Sequence, residues 1–474
     1  MSAYHSLFET QNAIKAGKTT CVEVVKSYLD NISKRNSQIN AFIEVFEKES
    51  LRRAEIIDQK ILNGKFGKLA GMVIAVKDNI CIKGFKVTAS SRMLNDFHSL
   101  YNATSIQRIL DEDGIVLGRL NCDEFAMGSS NENSVYGPVK NPLDITKVPG
   151  GSSGGCAAAV AANFCLAALG SDTGGSIRQP SSFCGVVGLK PTYSRVSRYG
   201  LIAYASSFDQ IGPITKNISD ADLIMQVISG KDPNDSTSSS KKYNARKKDR
   251  SNYKYKIGFL KESLSIDGID AEVKESFIKT INSLKKNGHE VKEISFPYFD
   301  YMIPIYYVLS TAEASSNLAR FDGVHYGYRS NHSKDLEDTY VFSRSEGFGE
   351  EVKRRIMLGT FVLSAGYKED YYRKAQKIRR VIFEETEDIF KSTDFILSPT
   401  TPHTAFDLGV KQTDPTKMYL EDIFTVHANI TGNPSISIPL YKHSNKMPFS
   451  LQISSQNFQE EKLINFASEM MSKI

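Results

Sequence analysis

The sequence predicts an α/β fold, because short apolar segments of strand length alternate with segments of helical periodicity. Of the 474 residues, 41% are hydrophobic and 24% are charged, which is typical of a globular chain. A chain of this length can bury a large core without disulfide or metal cross-links. A prior of about 150 residues per domain would suggest roughly three domains, although single α/β domains often exceed it.

The N-terminal part predicts the first helices and a buried strand. Thr20 and Glu23 fit a capping box that precedes an apolar helical stripe. The five apolar residues 72–76 predict a buried strand that delivers Lys77 at its carboxyl end. Further elements are expected as helices over 44–62 and 105–113 and a strand over 114–118.

A polar segment at about 231–256 interrupts this pattern. It is rich in Ser and Lys and has no large aliphatic residue, so we expect an exposed loop. The apolar run 156–169, interrupted by Asn163, is too short to cross a bilayer and is interpreted as a buried helix. Later strands are predicted at 257–260, 290–294, 395–397, 435–438 and 450–453, and helices at 271–286 and 460–472.

Charge and cysteine usage restrict the class of protein. The net charge of +5 is too small to indicate a nucleic-acid-binding domain by itself. The six cysteines include no C-x-x-C pair, so we expect reduced thiols packed as small apolar groups in a reducing compartment. Residues 1–18 contain no apolar segment of the kind found in secretory signals. The cytoplasm is therefore expected, with an organelle matrix or stroma as the alternative. The sequence contains no recognisable cluster of metal ligands, and no metal is expected.

Residues 150–155 form the first glycine-rich loop, Gly-Gly-Ser-Ser-Gly-Gly. Glycine allows positive φ angles and a close approach of the backbone to a substrate. The Ala-rich helix that follows would point free N–H groups toward the loop. A tight turn or a phosphate-binding loop are the alternatives, although the usual phosphate loop needs a lysine that is missing here.

The second glycine-rich loop, 170–180, contains the candidate nucleophile. Gly174 and Gly175 precede Ser176 and leave consecutive N–H groups uncrowded, so that they can hold an oxyanion beside a serine nucleophile. A plain turn serine is the alternative. Asp172 and Arg178 flank the loop, and we expect them to pair and brace it, with a surface charge as the alternative for Arg178.

A serine nucleophile needs a base, but none of the eight histidines shows a local catalytic pattern. His403 and His427, in segments flanked by Pro or Gly, are the two to check. A lysine can act as base if burial lowers its pKa toward neutrality. Lys77, directly after a buried strand, is the best placed, although an isolated lysine at a strand end is more commonly exposed.

Taken together, Lys77, Ser152 in Gly-Gly-Ser-Ser-Gly-Gly and Ser176 in Asp-Thr-Gly-Gly-Ser-Ile-Arg resemble the amidase signature family over essentially the whole chain. The resemblance implies one domain, 1–474, with a large mixed β-sheet covered on both sides by helices, and a cis peptide bond before Ser152. It also implies Lys77 as base, Ser152 as proton relay and Ser176 as nucleophile. The expected oxyanion hole consists of the N–H groups of Thr173, Gly174, Gly175 and Ser176.

Four stretches outside this motif set resemble the branch of the family that releases ammonia from glutamine: 123–132, 313–323, 343–356 and 418–422. The resemblance implies that Arg355 binds the α-carboxylate of glutamine, Asp422 its α-ammonium, and that Tyr307 contributes a hydroxyl. Arginine suits bidentate binding of a carboxylate. Arg354 and Tyr306 are the alternative matches.

This branch also implies partners. Two further subunits are expected to complete a heterotrimer, and one of them uses ATP and Mg²⁺ to activate glutamate already charged on tRNA(Gln). The tRNA is expected to bind mainly through that partner. For this chain itself we expect no cofactor, since no lysine-containing phosphate loop is recognised in it. No membrane contact is expected either, because its longest apolar run is too short to cross a bilayer.

Two other functions remain as alternatives. A stand-alone amidase of broad substrate range would not need the charged pair Arg355 and Asp422. An RNA-binding protein could use the basic run Lys241, Lys242, Arg246, Lys247, Lys248 and Arg250, but such a short run in a polar loop is more commonly solvated, and only Tyr243 is available for stacking. His403, His427 and Ser450 depart from residues usual in the family, which affects details of the pocket and not the reaction.

Overall fold

The computed structural model describes residues 4–246, 253–410 and 415–472. Its core is a single eleven-stranded mixed sheet. The strands of the described residues are β1 (Phe42–Val45), β2 (Val73–Lys77), β3 (Ile115–Leu120), β4 (Ala167–Asp172), β5 (Val187–Lys190), β6 (Gln210–Thr215), β7 (Lys256–Leu260), β8 (Glu290–Ile294), β9 (Phe395–Pro399), β10 (Ser435–Lys442) and β11 (Pro448–Ser455). Their order in the sheet is β1-β3-β2-β4-β6-β5-β10-β11-β9-β7-β8.

Helices surround this sheet. Those of the described residues are α1 (Leu7–Lys15), α2 (Cys21–Ile39), α3 (Glu47–Leu62), α4 (Thr104–Asp111), α5 (Gly154–Ala161), α6 (Arg178–Cys184), α7 (Ile218–Ile228), α8 (Ala271–Lys286), α9 (Met302–Leu318), α10 (Leu336–Gly347), α11 (Glu350–Leu363), α12 (Lys374–Ser392), α13 (Pro415–Leu420), α14 (Val426–Ile430) and α15 (Glu460–Ser472). Every residue of β2 and β4 is buried, and successive side chains of a strand point to opposite faces, so both faces of the sheet are covered there. The predicted α/β class is confirmed.

The sheet positions the two glycine-rich loops. β2 pairs in parallel with both β3 and β4. Lys77 is the last residue of β2 and Asp172 the last of β4, so the two chain segments leave the sheet at the same edge. Because the carboxyl ends of parallel strands meet at one edge, the residues that follow are close together without any long connection.

Two predicted elements differ from the structure. The capping box of Thr20 and Glu23 is present, but the helix expected over 44–62 begins only at Glu47. The preceding Phe42–Val45 forms β1, an edge strand paired antiparallel with β3, because this pairing buries Phe42. The run 156–169 is not one helix: α5 ends near Asn163, which has φ 58°, and the chain continues into β4. Asparagine tolerates this left-handed conformation and therefore ends helices readily.

The polar segment 231–256 contains neither helix nor strand in its described residues before β7 begins at Lys256. It is not exposed throughout, because Asp232 and Asp235 are buried and accept hydrogen bonds from Ser197 and from the Arg198 N–H. Of the basic run, Lys241 lies 4.2 Å over the Phe458 ring, and Arg246 donates to Ser468. Lys247, Lys248 and Arg250 lie outside the described residues.

All six cysteines are buried and unpaired, as expected for packed thiols. In the described ranges, no helix combines the length and the apolar character that a membrane crossing requires.

The larger apolar core includes Val76 and Leu169 of the sheet, and a second core includes Tyr306 of α9 and Phe424. The candidate site lies where the loops after β2 and β4 meet this second core.

Candidate active site

Lys77 is fully buried at the end of β2, and its amine is aimed at the first serine loop. Nζ lies 2.7 Å from Ser152 Oγ and 3.0 Å from Ser171 Oγ, and Asn79 Nδ2 also donates to Ser171 Oγ at 2.9 Å. Burial lowers the pKa of Lys77 below its ordinary value, against smaller opposing effects of groups that include Asp123 and Asp172. A neutral amine in this place can donate to Ser171 and accept the proton of Ser152, which is what a general base must do.

The loop that carries Ser152 is held rigidly by its neighbours. The Gly151–Ser152 peptide bond is cis, which confirms that prediction. The Gly151 N–H donates to Gln179 Oε1 at 2.9 Å, and the Asp123 N–H donates to the Ser152 carbonyl at 3.2 Å. A side chain on Gly151 would collide with the carboxylate of Asp123, so only glycine allows this close approach.

Ser176 lies on the turn between β4 and α6, and its backbone adjoins the Ser152 loop. The Ser153 N–H donates to the Ser176 carbonyl at 3.2 Å, and Ser176 retains 8% exposure, compared with 0% for Ser152. No hydrogen bond joins the hydroxyls of Ser152 and Ser176, both of which are described residues. The structure thus contains the first link of the expected relay; catalytic hydrogen bonds of this kind often form only once substrate is bound.

The predicted brace of the nucleophile turn is confirmed. Arg178 Nε and Nη2 donate to the two carboxylate oxygens of Asp172, each at 3.0 Å, and both side chains are fully buried. Burial alone would raise the pKa of Asp172, but the Arg178 guanidinium outweighs it and lowers the pKa to about 2. Arg178 also donates to the Thr425 carbonyl, Gln452 Oε1 and Asn429 Oδ1, at 2.7–2.9 Å. The turn is therefore anchored to distant parts of the chain.

One of the four expected oxyanion donors, the Gly175 N–H, has a partner within the protein. The Gly175 N–H donates to Asp172 Oδ1 at 2.9 Å, so the carboxylate that braces the turn also occupies this donor. Within the described residues, the N–H groups of Thr173, Gly174 and Ser176 donate to no other protein group. These three remain as candidate donors to the oxyanion, and three N–H groups on one turn suffice for such a site.

Arg355 is the buried member of the predicted Arg354–Arg355 pair. It is 3% exposed, donates from Nε to Glu351 Oε1 at 2.8 Å, and lies 5.4 Å from the centre of the Tyr307 ring. The side chain of Arg354 is 50% exposed and pairs with the same Glu351. Tyr307 also stacks on Tyr419 with ring centres 3.9 Å apart. Burial thus favours Arg355 as a ligand for a carboxylate.

Tyr306 occupies a different place from its neighbour Tyr307. A side chain on Gly174 would lie 2.5 Å from the Tyr306 hydroxyl, so this phenol packs directly against the nucleophile turn. Tyr307 lies instead beside Arg355. Both tyrosines are buried, and the pair connects the nucleophile turn with the arginine.

Asp422, the second predicted ligand of glutamine, is buried close to the same turn. Its Oδ2 accepts a hydrogen bond from Ser129 Oγ at 3.1 Å. Thr425, three residues further along, donates from Oγ1 to the Gly174 carbonyl at 2.6 Å. Burial raises the pKa of Asp422 to about 7, although the bond from Ser129 and the charge of Arg355 act in the opposite direction. A buried carboxylate is suited to bind a cationic group of a substrate.

Several residues of the site were not predicted. Ser171 and Gln179 lie within the second glycine-rich loop. Their polar side chains and their nearness to Ser176 in the sequence could have indicated that they belong to the site. Thr425, Asn429 and Gln452 approach from the C-terminal part of the chain, and no local pattern indicates them. The two histidines singled out do not contact the triad: His427 Nε2 bonds to Thr386, and His403 Nε2 bonds to Glu421, each at 2.8 Å. In the part of the chain that is described, no group of three or more potential ligands could hold a metal ion.

A buried lysine–serine pair next to a serine on a glycine turn, at the edge of a mixed sheet, defines a serine amidohydrolase. The model of the family described as Amidase matches residues 23–464. The chain belongs to the Amidase family, and the predicted family is confirmed.

Individual proteins of known sequence or structure resemble this chain over nearly its whole length. The A subunit of the glutamyl-tRNA(Gln) amidotransferase of Chlorobium phaeobacteroides is 49% identical over 475 residues, which cover 99% of both chains. The crystal structure of the corresponding A subunit from Thermotoga maritima has a TM-score of 0.78 and 41% identity, and covers 94% of this chain and 90% of that one. A bacterial aryl acylamidase has a TM-score of 0.84 at 22% identity, with 99% of this chain and 96% of that one covered; this likeness shows the fold alone.

Proposed function

We propose that this chain is the glutamine-hydrolysing A subunit of a glutamyl-tRNA(Gln) amidotransferase. The observation that carries the proposal is the pair of opposite buried charges, Arg355 and Asp422, whose segments pack beside the serine nucleophile turn. Free glutamine carries an α-carboxylate and an α-ammonium, and a site that selects it needs one partner for each. The full-length likeness to the A subunits of two organisms supports the same function.

The geometry suggests the following sequence of proton transfers. Neutral Lys77 accepts the proton of Ser152, Ser152 accepts that of Ser176, and Ser176 Oγ attacks the side-chain amide carbon of glutamine. The N–H groups of Thr173, Gly174 and Ser176 hold the oxyanion. The proton returns through Ser152 to the amide nitrogen, ammonia leaves, and water then hydrolyses the glutamyl ester on Ser176 by the same route in reverse.

The proposal extends to the assembly. Relatives named as the A subunit of a larger enzyme imply partner chains, and we propose a heterotrimer with the B and C subunits of the amidotransferase. The ammonia would be used on the B subunit, which would bind ATP and Mg²⁺ and convert Glu-tRNA(Gln) to Gln-tRNA(Gln). The tRNA would bind mainly through that partner, and the complex would work in the cytoplasm.

A stand-alone amidase of broad range is disfavoured. Burying an arginine and an aspartate costs free energy that an apolar amide substrate would not recover. The two buried charged side chains are therefore better explained by a substrate that itself carries both opposite charges. The described contacts of Arg355 with Glu351 and Tyr204 hold its guanidinium in one orientation, which suits a single small ligand.

The test measures ammonia release by the purified chain, alone and with the B and C subunits, Glu-tRNA(Gln) and ATP. We expect release from glutamine that is lost in Ser176→Ala and stimulated by the complete system. Butyramide, which has the same amide but neither charge, is the control substrate and should be a poor one. Equal turnover of butyramide and glutamine, indifferent to the partners, would contradict the proposal.

A further inference from the structure

Asp209 immediately precedes β6 and has no part in the proton transfers or in the glutamine binding described above. Its carboxylate is buried and forms no salt bridge with a described residue. Hydrogen-bond donors surround it instead. Oδ1 accepts from Thr173 Oγ1 at 2.7 Å, and Oδ2 accepts from the Tyr204 N–H at 2.9 Å. The Ala205 N–H donates to both oxygens, at 3.2 and 3.1 Å.

One arm of this carboxylate reaches the nucleophile turn. Thr173 follows directly on β4 and its N–H is one of the three candidate oxyanion donors. The bond to Asp209 fixes the side chain of Thr173, and with it the start of the turn that presents Gly174 and Ser176. An oxyanion donor must be held at hydrogen-bond distance from the atom that becomes charged, so its orientation matters.

The other arm reaches the proposed carboxylate ligand. Asp209 holds the backbone of Tyr204, and the Tyr204 hydroxyl accepts a hydrogen bond from Arg355 Nη1 at 2.9 Å. The same hydroxyl donates to Ser310 Oγ at 3.1 Å. Tyr204 is itself fully buried, so its position depends on these contacts and not on solvent.

We propose that Asp209 is a positioning residue that joins the oxyanion turn to the arginine that binds the substrate carboxylate. The inference rests on the proposed function, because it takes glutamine as the ligand of Arg355. A carboxylate that accepts bonds from two separate segments sets the spacing between them. That spacing must match the short distance between the α-carboxylate and the side-chain amide of glutamine.

The test separates the two arms with single variants in the intact complex. Thr173→Val removes one arm, and we expect it to lower kcat about tenfold with little change in the KM for glutamine. Tyr204→Phe removes the contact with Arg355, and we expect it to raise KM about tenfold with kcat little changed. Asp209→Ala should do both. Asp209→Asn keeps an oxygen for the Tyr204 and Ala205 N–H groups and places its NH₂ toward Thr173, so it should stay within about threefold of wild type.

A second readout does not depend on glutamine. Phenylmethylsulfonyl fluoride reacts with an activated serine and has no carboxylate, so its rate of reaction with Ser176 reports the nucleophile turn alone. Thr173→Val and Asp209→Ala should slow this reaction about tenfold, whereas Tyr204→Phe should leave it unchanged. A purely structural role would instead reduce the amount of titratable Ser176 and the melting temperature, and would not separate kcat from KM.

These readouts keep the two proposals apart. If no variant and no wild-type complex releases ammonia from glutamine, the proposed function fails, while the sulfonylation rates still test the arm to Thr173. If the wild type is a glutaminase and Asp209→Ala has unchanged kcat, KM and sulfonylation rate, the inference is overturned. If Asp209→Ala does not fold, unchanged kinetics in both Thr173→Val and Tyr204→Phe overturn it.

Discussion

The catalytic half and the recognition half of the site are built in different ways. Lys77, Ser152 and Ser176 come from the ends of neighbouring strands and from glycine-rich loops within about one hundred residues, since β2 ends at Lys77 and α6 begins at Arg178. Arg355 comes from α11 and Asp422 from the turn between α13 and α14, distant segments that pack against the second apolar core. In the first half the buried Asp172 is paired with Arg178; in the second, the side-chain hydrogen bond that Asp422 accepts from a described residue comes from the neutral Ser129. The difference indicates that the catalytic half is braced by an internal ion pair, whereas the carboxylate of Asp422 can still accept a charged donor from a substrate.

The largest effect that follows from this comparison is on the base. Lys77→Met keeps the length of the side chain but removes the amine, and we expect kcat to fall about 10²–10⁴-fold. The kcat of Lys77→Arg should fall by a similar factor, because a guanidinium stays protonated and cannot accept a proton. Steady-state ammonia release measures both. Retention of more than about a tenth of wild-type kcat in Lys77→Arg would show that Lys77 is not the base.

The next effect concerns the stability of the catalytic half. Arg178→Met leaves the buried Asp172 without its partner, and we expect the free energy of unfolding to drop by about 3–5 kcal/mol. Urea denaturation followed by fluorescence measures it. The matched control is the double variant Arg178→Met with Asp172→Asn, which removes the buried charge as well and should recover part of the loss. A double variant as unstable as the sum of the two single variants would rule out a direct ion pair as the brace.

The recognition half is tested by two adjacent arginines. Arg355→Ala should raise the KM for glutamine about 10–100-fold with a smaller effect on kcat, because it removes a charged hydrogen-bond donor to the substrate carboxylate. Arg354→Ala is the matched control, since Arg354 contacts the same Glu351 but its side chain is half exposed. It should change KM less than about twofold. A larger rise in Arg354→Ala than in Arg355→Ala would reverse the assignment.

The smallest effect is a shift in pH dependence. Asp422 must be ionised to bind the α-ammonium of glutamine, and burial raises its pKa to about 7, so kcat/KM for glutamine should fall as pH decreases through about 7. The bond from Ser129 lowers that pKa. Ser129→Ala should therefore move the acid limb to higher pH and raise KM at pH 7 about two- to tenfold.

Ser130→Ala is the control for that shift, because Ser130 is a neighbouring buried serine without a bond to Asp422. Protonation of Lys77 also lowers kcat/KM at acid pH. It does so equally in the wild type, Ser129→Ala and Ser130→Ala, so it cannot shift the acid limb of the pH profile in Ser129→Ala alone. An acid limb at the same pH in Ser129→Ala and wild type would show that Asp422 does not control glutamine binding.

The two halves also differ in how much of them could be predicted. The loops around Ser152 and Ser176 are contiguous, and their glycines and flanking apolar strands indicate strand–turn–helix geometry directly. Arg354 and Arg355 are equally charged neighbours on one helix, and only the packing of α11 against α9 decides which is buried. Gly175 illustrates the same limit within a motif, since its N–H is taken by Asp172 through a side-chain bond that spacing alone does not reveal. Asp209 belongs to no sequence motif, and its contact with Thr173 follows only from the pairing of β6 with β4.

The most direct test of the account is to identify the serine that carries the acyl group during turnover. The complex is quenched in acid while it hydrolyses glutamine, digested with pepsin, which can cleave at Phe164, Leu166 or Leu169 between the two serines, and analysed by mass spectrometry. The account predicts a glutamyl ester on the peptide that contains Ser176, absent from Ser176→Ala and from samples without glutamine. A glutamyl group on the peptide that contains Ser152, or undiminished ammonia release by Ser176→Ala, would contradict it.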